Sequence, residues 1–330
     1  MILSMNLGEN SYDILIEKGA IDKAKELFNL NRKVLIVTDS GVPKGYAEKI
    51  KSFSKEGYIF SFNQGEESKN FDTYKEILLT LSENEFKRGD AVVALGGGVV
   101  GDMAGFASAT YMRGIDFYNI PTTTLSQIDS SIGGKTAIDF MGYKNIVGAF
   151  YQPKMVIVDP DLLKTLPERH FNNGLAEAVK MAATFDEKLF EVFEKENIKE
   201  KLTEIIEKSL AIKKAVVEKD EKETGLRRVL NFGHTVGHAI ETTMNLELLH
   251  GECVALGMLY MTSGSAKIRI ENVLKKLNIL VEAKVDAEKI ISAIGHDKKA
   301  ETEFVNAIFV EEIGTYEIKK VSYEELKKVI

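Results

Sequence analysis

Ala91-Val92-Val93-Ala94-Leu95-Gly96-Gly97-Gly98-Val99-Val100-Gly101-Asp102 is the stretch that decides the fold. Five consecutive apolar residues without polar alternation read as a strand buried on both faces, and such strands belong to parallel sheets covered by helices. The glycine run then turns the chain into a helix from about Val100. Glycines there let backbone N–H groups approach an anion, and the helix N-terminus favours negative charge. The run is not the G-x-G-x-x-G dinucleotide fingerprint, so taken alone a packing turn explains it equally well.

The same alternation repeats on either side. Residues 33–38, 57–62, 117–120 and 155–158 are β-branched or apolar runs that read as strands, and 42–53 and 72–84 read as the helices between them. After Asp159-Pro160-Asp161 the pattern turns helical as far as about Leu280, with charge runs such as Glu194-Lys195-Glu196 on faces that should be solvated. Beta character returns near 307–310 and 315–318. No repeat, low-complexity tract or flexible linker is visible. The expected architecture is α/β, with an N-terminal Rossmann-like parallel-sheet domain over residues 1–158 and a mainly α-helical domain over 159–330.

Bulk properties narrow the function classes. A chain of 330 residues can bury two cores, and 44% hydrophobic with 28% charged residues is an ordinary globular balance. The formal net charge of −7 argues against a general nucleic-acid-binding surface. Cys253 is the single cysteine, which excludes an internal disulfide and suits a reducing compartment. Residues 1–6 carry neither the basic flank nor the apolar core of a signal peptide. Residues 91–110 are the best membrane candidate, but three glycines and Asp102 suit a buried strand entering a helix instead. A cytoplasmic protein that binds neither nucleic acid nor membrane is expected.

Three of the five histidines, His234, His238 and His250, fall within seventeen residues. On a helix His234 and His238 lie one turn apart on one face, as metal ligands often do, although a satisfied polar pair has the same spacing. Glu177 sits in the otherwise apolar run Gly174-Leu175-Ala176-Glu177-Ala178-Val179-Lys180, where a carboxylate is costly unless paired or ligated. Lys180, at i+3, is the simplest pair. Spacing leaves open which three of these four groups, Glu177 and the histidines, hold a metal. Arg113, Lys135, Lys144, Asn145, Lys213, Arg227 and Asn231 adjoin glycines, small residues or helix ends and form a set of candidate anion-binding groups. Each alone would be an ordinary surface group.

Five blocks in order give the chain a resemblance to the 3-dehydroquinate synthase family of sugar-phosphate cyclases, from about Val34 to Ile313. They are Gly96-Gly97-Gly98-Val99-Val100-Gly101-Asp102, Asp129-Ser130-Ser131-Ile132-Gly133-Gly134-Lys135-Thr136-Ala137, Gly174-Leu175-Ala176-Glu177, Asn231-Phe232-Gly233-His234-Thr235-Val236-Gly237-His238-Ala239-Ile240-Glu241 and His250-Gly251-Glu252-Cys253-Val254-Ala255. The resemblance implies a lyase of the shikimate pathway with its active site in a cleft between the two domains. It would convert 3-deoxy-D-arabino-heptulosonate 7-phosphate to 3-dehydroquinate by transient oxidation with NAD, β-elimination of phosphate, reduction and aldol closure.

The same resemblance implies zinc (cobalt being an alternative) on Glu177, His234 and His250, with His238 outside the ligand set. Asp129, Lys180, Lys213, Arg227, Asn231 and His238 are the implied catalytic groups. Asp129, Lys180, Lys213, Arg227 and Asn231 would line the sugar and carboxylate site, and Lys135, Asn145, Asn231 and His238 would hold the phosphate. Asp39, Glu66, Lys69, Gly97, Gly98, Asp102, Thr122, Thr123, Lys135, Lys144 and Thr165 would bind NAD, and Arg113 would reach the neighbouring subunit of a homodimer. A further phosphate lysine is implied at Lys298 or Lys299. Two positions depart from the family pattern: Gly41, where asparagine is frequent, and His170, where glutamate is frequent. Rival readings are a cyclase acting on a carboxylate-free sugar phosphate, a metal-dependent polyol dehydrogenase, or a catalytically silent nucleotide-binding protein.

Overall fold

The computed structural model describes residues 1–244, 248–297 and 304–330, which form two compact units, Met1–Leu166 and Pro167–Ile330. In the first unit β1 (Ile2–Met5), β2 (Tyr12–Ile16), β3 (Lys33–Asp39), β4 (Glu56–Phe62), β5 (Ala91–Gly96) and β6 (Asp116–Pro121) precede an antiparallel hairpin of β7 (Lys135–Phe140) and β8 (Tyr143–Phe150); β9 (Met155–Val158) closes the set. Seven of these strands make one sheet in the order β1-β2-β9-β6-β5-β3-β4, and every neighbouring pair except β1–β2 is parallel.

Helices α1 (Ala24–Leu27), α2 (Lys44–Phe53), α3 (Phe71–Glu83) and α4 (Gly98–Thr110) explain why the central strands are apolar without alternation. Val34 and Ile36 of β3 pack with Ala24, Ala47 and Ile50 from α1 and α2, while Leu35 and Val37 pack with Tyr74, Ile77, Val100 and Met103 from α3 and α4. Both sheet faces are covered, and each fully buried aliphatic side chain contributes about 1.5–3 kcal/mol. The chain leaves β3 outward to β4, then returns to β5 on the other side of β3 and proceeds to β6. A topological switch point therefore lies between the carboxyl ends of β3 and β5, where sheets of this kind bind ligands.

Two features were not expected from the sequence. The β1–β2 pair extends the sheet, and the β7–β8 hairpin stands apart from it. The hairpin's buried face is short, Thr136 and Ile138 of β7 with Val147 and Ala149 of β8 packed against the core, while Phe140, Met141, Tyr143 and Ile146 at its far end are exposed, so the apolar pattern does not mark the strands. The first unit also runs eight residues past 158. Asp159, 1% exposed, accepts hydrogen bonds from the backbone N–H groups of Gly19, Ile21 and Asp161, and Leu162 joins the sheet core, so residues 159–166 stay with the sheet.

The second unit is mainly helical, as expected: α5 (Glu168–Phe185), α6 (Glu187–Lys195), α7 (Ile198–Lys219), a 3-10 turn (Leu226–Asn231), α8 (His234–Thr243), α9 (His250–Tyr260), α10 (Gly264–Lys276) and α11 (Ala287–Asp297). An antiparallel pair, β10 (Phe304–Phe309) and β11 (Glu317–Ser322), precedes α12 (Tyr323–Lys327). The stretch of α5 from Asn173 to Thr184 is buried on every side, the behaviour of a central helix. Among the described residues no helix is long and apolar enough to cross a membrane.

Candidate active site

Glu177, on the buried centre of α5, is fully inaccessible, and neither of its oxygens receives a hydrogen bond of good geometry. Its Oε2 is ion-paired with Lys180 one turn along the same helix, as the i+3 spacing suggested. Its Oε1 faces two imidazoles, His234 Nε2 at 3.5 Å and His250 Nε2 at 3.4 Å. These histidines are the first residues of α8 and α9. The two helices approach closely because Gly257 presents no side chain to the backbone of Gly233 and Gly237.

The other edge of each ring decides what the Nε2 atoms can offer. His234 Nδ1 lies 3.2 Å from Phe232 O, which can only accept, so the neutral ring carries its proton on Nδ1. His250 Nδ1 lies 3.3 Å from Glu241 Oε2, again an acceptor. With both rings neutral the Nε2 lone pairs point toward Glu177 Oε1, an arrangement of three acceptors that repel one another unless a cation, a metal or in its absence a second proton on His250, stands between them. Two imidazoles and one carboxylate, each histidine backed by an acceptor on its far nitrogen, fit a divalent metal with positions left for other ligands. His238, exposed on α8, is close by. Ligand nitrogens of His234, His238 and His250 lie within 4.8 Å of one another, so distance by itself does not remove it from the cluster.

Charges follow the same logic in the metal-free protein. Burial opposes ionisation of Glu177, but Lys180 and the two imidazoles outweigh it and hold the carboxyl well below the usual range. Burial, reinforced by Lys180, pushes His234 well below an ordinary histidine. Burial opposes the charge on His250, yet the carboxylates of Glu177 and Glu241 on either side raise it to about 9.

One face of α5 also fixes the start of α9. Asn173 Oδ1 accepts from Gly251 N at 2.7 Å and Glu252 N at 3.3 Å, satisfying N–H groups that the Leu249 side chain cannot cap. Arg169 donates two hydrogen bonds to Glu252, whose Oε2 in turn accepts from Leu249 N. Arg169, Asn173 and Glu177 are spaced i, i+4, i+8 along α5, so one stripe anchors the turn that bears His250 and presents a carboxylate to its ring.

The implied carboxylate-binding groups are buried cations. Lys213 on α7 is 6% exposed and Arg227, on the 3-10 turn, 2%; both elements pack against α5. Arg227 Nη1 donates to Glu221 O at 2.6 Å and its backbone N–H to Asp220 Oδ2 at 2.9 Å. Asn231 Nδ2 donates to Glu223 Oε1 at 2.7 Å. The second unit thus brings together Glu177, Lys180, His234, His238 and His250, with Lys213, Arg227 and Asn231 on adjoining elements.

In the first unit the implied nucleotide residues gather at the carboxyl edge of the sheet. Asp39 ends β3, Glu66 and Lys69 follow β4, Gly97 and Gly98 follow β5, and Thr122 and Thr123 follow β6. Thr165 ends a 3-10 helix after β9. The helix after β5 begins at Gly98, two residues earlier than expected, with Gly97 as its N-cap. Lys69 is buried and bonds Asp102 Oδ2 at 2.6 Å, with Glu66 at 3.7 Å and the Asn145 side-chain oxygen also in contact. Asn145, expected at the phosphate, is in this arrangement tied to Lys69 and held by Asp139, which accepts its N–H at 2.8 Å. Asp129 lies on the π-helix Ser126–Ser130 after β6; Lys135 begins β7 and Lys144 lies on β8, both exposed. Arg113 is exposed on a turn where Met112 and it have φ of 50° and 67°. His170 is exposed in the first turn of α5. At Gly41 the Gln64 side-chain oxygen stands 2.1 Å from where a Cβ would be, so Gln64 fills the space of a larger residue. Lys298 and Lys299 lie outside the described residues.

Sequence reading did not single out Glu241, Asn173, Arg169 or Ser130. Ser130 Oγ is buried without a hydrogen-bond partner and stands 3.1 Å from the position a Cβ on Gly98 would take, beside the start of α4.

Known proteins agree on the family. Sequence models described as 3-dehydroquinate synthase N-terminal and 3-dehydroquinate synthase C-terminal match residues 59–173 and 174–300. The chain is 46% identical over 319 residues to the 3-dehydroquinate synthase of Acetivibrio thermocellus, covering 90% of this chain and 89% of that protein. Against the 3-dehydroquinate synthase of Clostridium acetobutylicum it is 42% identical, covering 99% and 98%. Among solved structures, the 2-epi-5-epi-valiolone synthase of Streptomyces hygroscopicus with NAD+ and Zn2+ bound superposes with a TM-score of 0.88 at 26% identity, covering 98% and 97%.

Proposed function

Because the chain belongs to the 3-dehydroquinate synthase family, we infer that it converts 3-deoxy-D-arabino-heptulosonate 7-phosphate to 3-dehydroquinate and phosphate in the shikimate pathway. The observation that carries this reading is the 46% identity to a 3-dehydroquinate synthase across nine-tenths of the chain, against 26% to a cyclase making a valiolone.

Glu177, His234 and His250 would hold a divalent metal, zinc by the chemistry of the donor set. The residues along the carboxyl edge of the sheet, from Asp39 to Thr123, would hold NAD, with the first turn of α4 facing its phosphates. Bound NAD would supply a hydride acceptor and donor, and a bound metal a Lewis acid for the hydroxyl to be oxidised. Lys180 keeps Glu177 ionised within an apolar helix, so the carboxylate is ready to ligate. Arg227 and Lys213 would offer buried positive charge to the substrate carboxylate, while Asn231 and His238 would provide donors for the phosphate oxygens. The exposed Arg113, on its left-handed turn, is suited to reach a second copy of the chain, and we assign it to a homodimer.

One assay separates this reading from a dehydrogenase. Given the heptulosonate phosphate, a divalent metal and NAD far below the substrate concentration, phosphate and dehydroquinate should appear together in amounts far above the NAD supplied. Accumulation of NADH in step with substrate loss would overturn the cyclase reading.

A further inference from the structure

We propose that Glu241 is a positioning residue for the metal centre, holding the His250 ring in the tautomer and plane that present Nε2 to the metal. The proposal rests on the reading of Glu177, His234 and His250 as ligands and goes beyond it.

Glu241 stands on α8 directly after the buried Ala239 and Ile240, with the buried Gly237 a turn back, and is 7% exposed. A carboxylate placed there costs several kcal/mol unless it is paired. One partner that the geometry supplies is His250 Nδ1, 3.3 Å from Oε2. His250 is therefore flanked by two carboxylates, Glu241 at one nitrogen and Glu177, 3.4 Å away, at the other.

A neutral imidazole has one N–H to give. If the proton sits on Nδ1, it satisfies Glu241 and leaves the Nε2 lone pair for a metal shared with Glu177. If it sits on Nε2, the ring donates to Glu177, and both atoms are lost as ligands. Glu241 selects the first state, because an ionised carboxylate is a stronger acceptor than anything a vacated position would offer. His234 needs no such carboxylate, since Phe232 O already fixes its tautomer at 3.2 Å. Glu241 is thus assigned to one ligand of the three, and its loss should act on His250 selectively.

The test compares Glu241→Ala, Glu241→Gln and His250→Ala by zinc competition with a chromophoric chelator. Histidine 15N spectra of the zinc-loaded proteins and melting of the metal-free proteins accompany it. Glu241→Ala should bind zinc roughly 10–100-fold more weakly, and the Nδ1–H signal of His250 should be lost or moved while that of His234 stays. Glu241→Gln keeps an acceptor oxygen and should lose less. Zinc affinity of Glu241→Ala within twofold of the parent would overturn the proposal, whatever happens to the metal-free melting temperature. Equal losses in the Ala and Gln variants with an unmoved His250 signal would also overturn it, by showing that only charge matters. Should Glu241→Ala not fold, Glu241→Gln decides: a weakened affinity with a moved His250 signal supports the positioning role, and parental values for both refute it. His250→Ala is the separate check on the ligand reading, for parental zinc affinity there would remove the ligand and not merely its support.

Discussion

Gly257→Ala should dismantle the proposed metal centre without touching a proposed ligand. A Cβ at Gly257 would stand 1.9 Å from Gly233 O and 2.8 Å from Gly237 N, both backbone atoms of α8 and its N-cap, so no side chain can rotate out of the way. Ordinary contact requires about 3.4 Å or more, so α8 and α9 must part by about 1.5 Å at this crossing. His234 follows Gly233 directly, and His250 lies two turns before Gly257 on α9. Zinc–ligand distances near 2.0–2.1 Å tolerate about 0.2 Å of error, so a shift of this size takes one imidazole out of reach while the other two ligands remain. Overpacking should cost about 1–3 kcal/mol of stability, a fall in Tm of roughly 2–4 °C for each kcal/mol in a unit of this size. Zinc affinity should drop by roughly 100-fold, equivalent to losing about 2.7 kcal/mol. Melting of the metal-free protein and chelator competition measure the two effects, with Gly45→Ala, which meets nothing within 4 Å, as the control. A folded Gly257→Ala protein with parental zinc affinity would refute the idea that the close helix crossing aligns the histidines.

Two further outcomes follow from particular contacts. Arg227→Ala should lose roughly tenfold to a hundredfold in kcat/KM toward the heptulosonate phosphate, and little toward an analogue lacking the carboxylate; equal losses on both would assign Arg227 to the fold, through its bond to Glu221 O. Asp220 accepts from Arg227, Gly225 and Thr224 and is held at about 2, below the ordinary 3.8, so its contribution to stability is present above pH 4 and lost as pH falls through about 2. Asp220→Asn should therefore lose less stability than the parent between pH 4 and 2, and parallel melting curves for the two proteins across that window would contradict the assignment.

The legible part of the fold is the part where chemistry repeats along the chain. β3 and β5 announce themselves because helices cover both faces and every residue must be apolar. β1 gives no such signal: Ile2 is 61% exposed and only Met5 of β1 is buried, and in β2 the buried apolar run is just Ile14-Leu15-Ile16. The β7–β8 hairpin is built on Met141 and Asn145 in left-handed conformations and on a contact with Lys69 far back in the chain, none of which a local pattern contains. Asn145 shows the same limit at the site. Residue type and family pattern point it at phosphate, while in the structure its side chain lies against a buried lysine.

The proposed metal centre divides along the same line. Glu177, His234 and His250 could be suspected from residue type, since a carboxylate in an apolar helix and clustered imidazoles each demand a partner. Glu241 sends the same signal as Glu177, a carboxylate on a buried helical face, and the sequence gives no means of telling the two apart. Their difference is made by helix packing: α5 brings Glu177 to the Nε2 edge of His250, and α8 brings Glu241 to the Nδ1 edge. Asn173 and Arg169 act across 78 and 83 residues of chain to hold the turn on which that histidine begins α9. A costly polar group in a sequence therefore reveals that a partner exists, but which atom it meets, and whether it ligates or positions, is written only in how the helices cross.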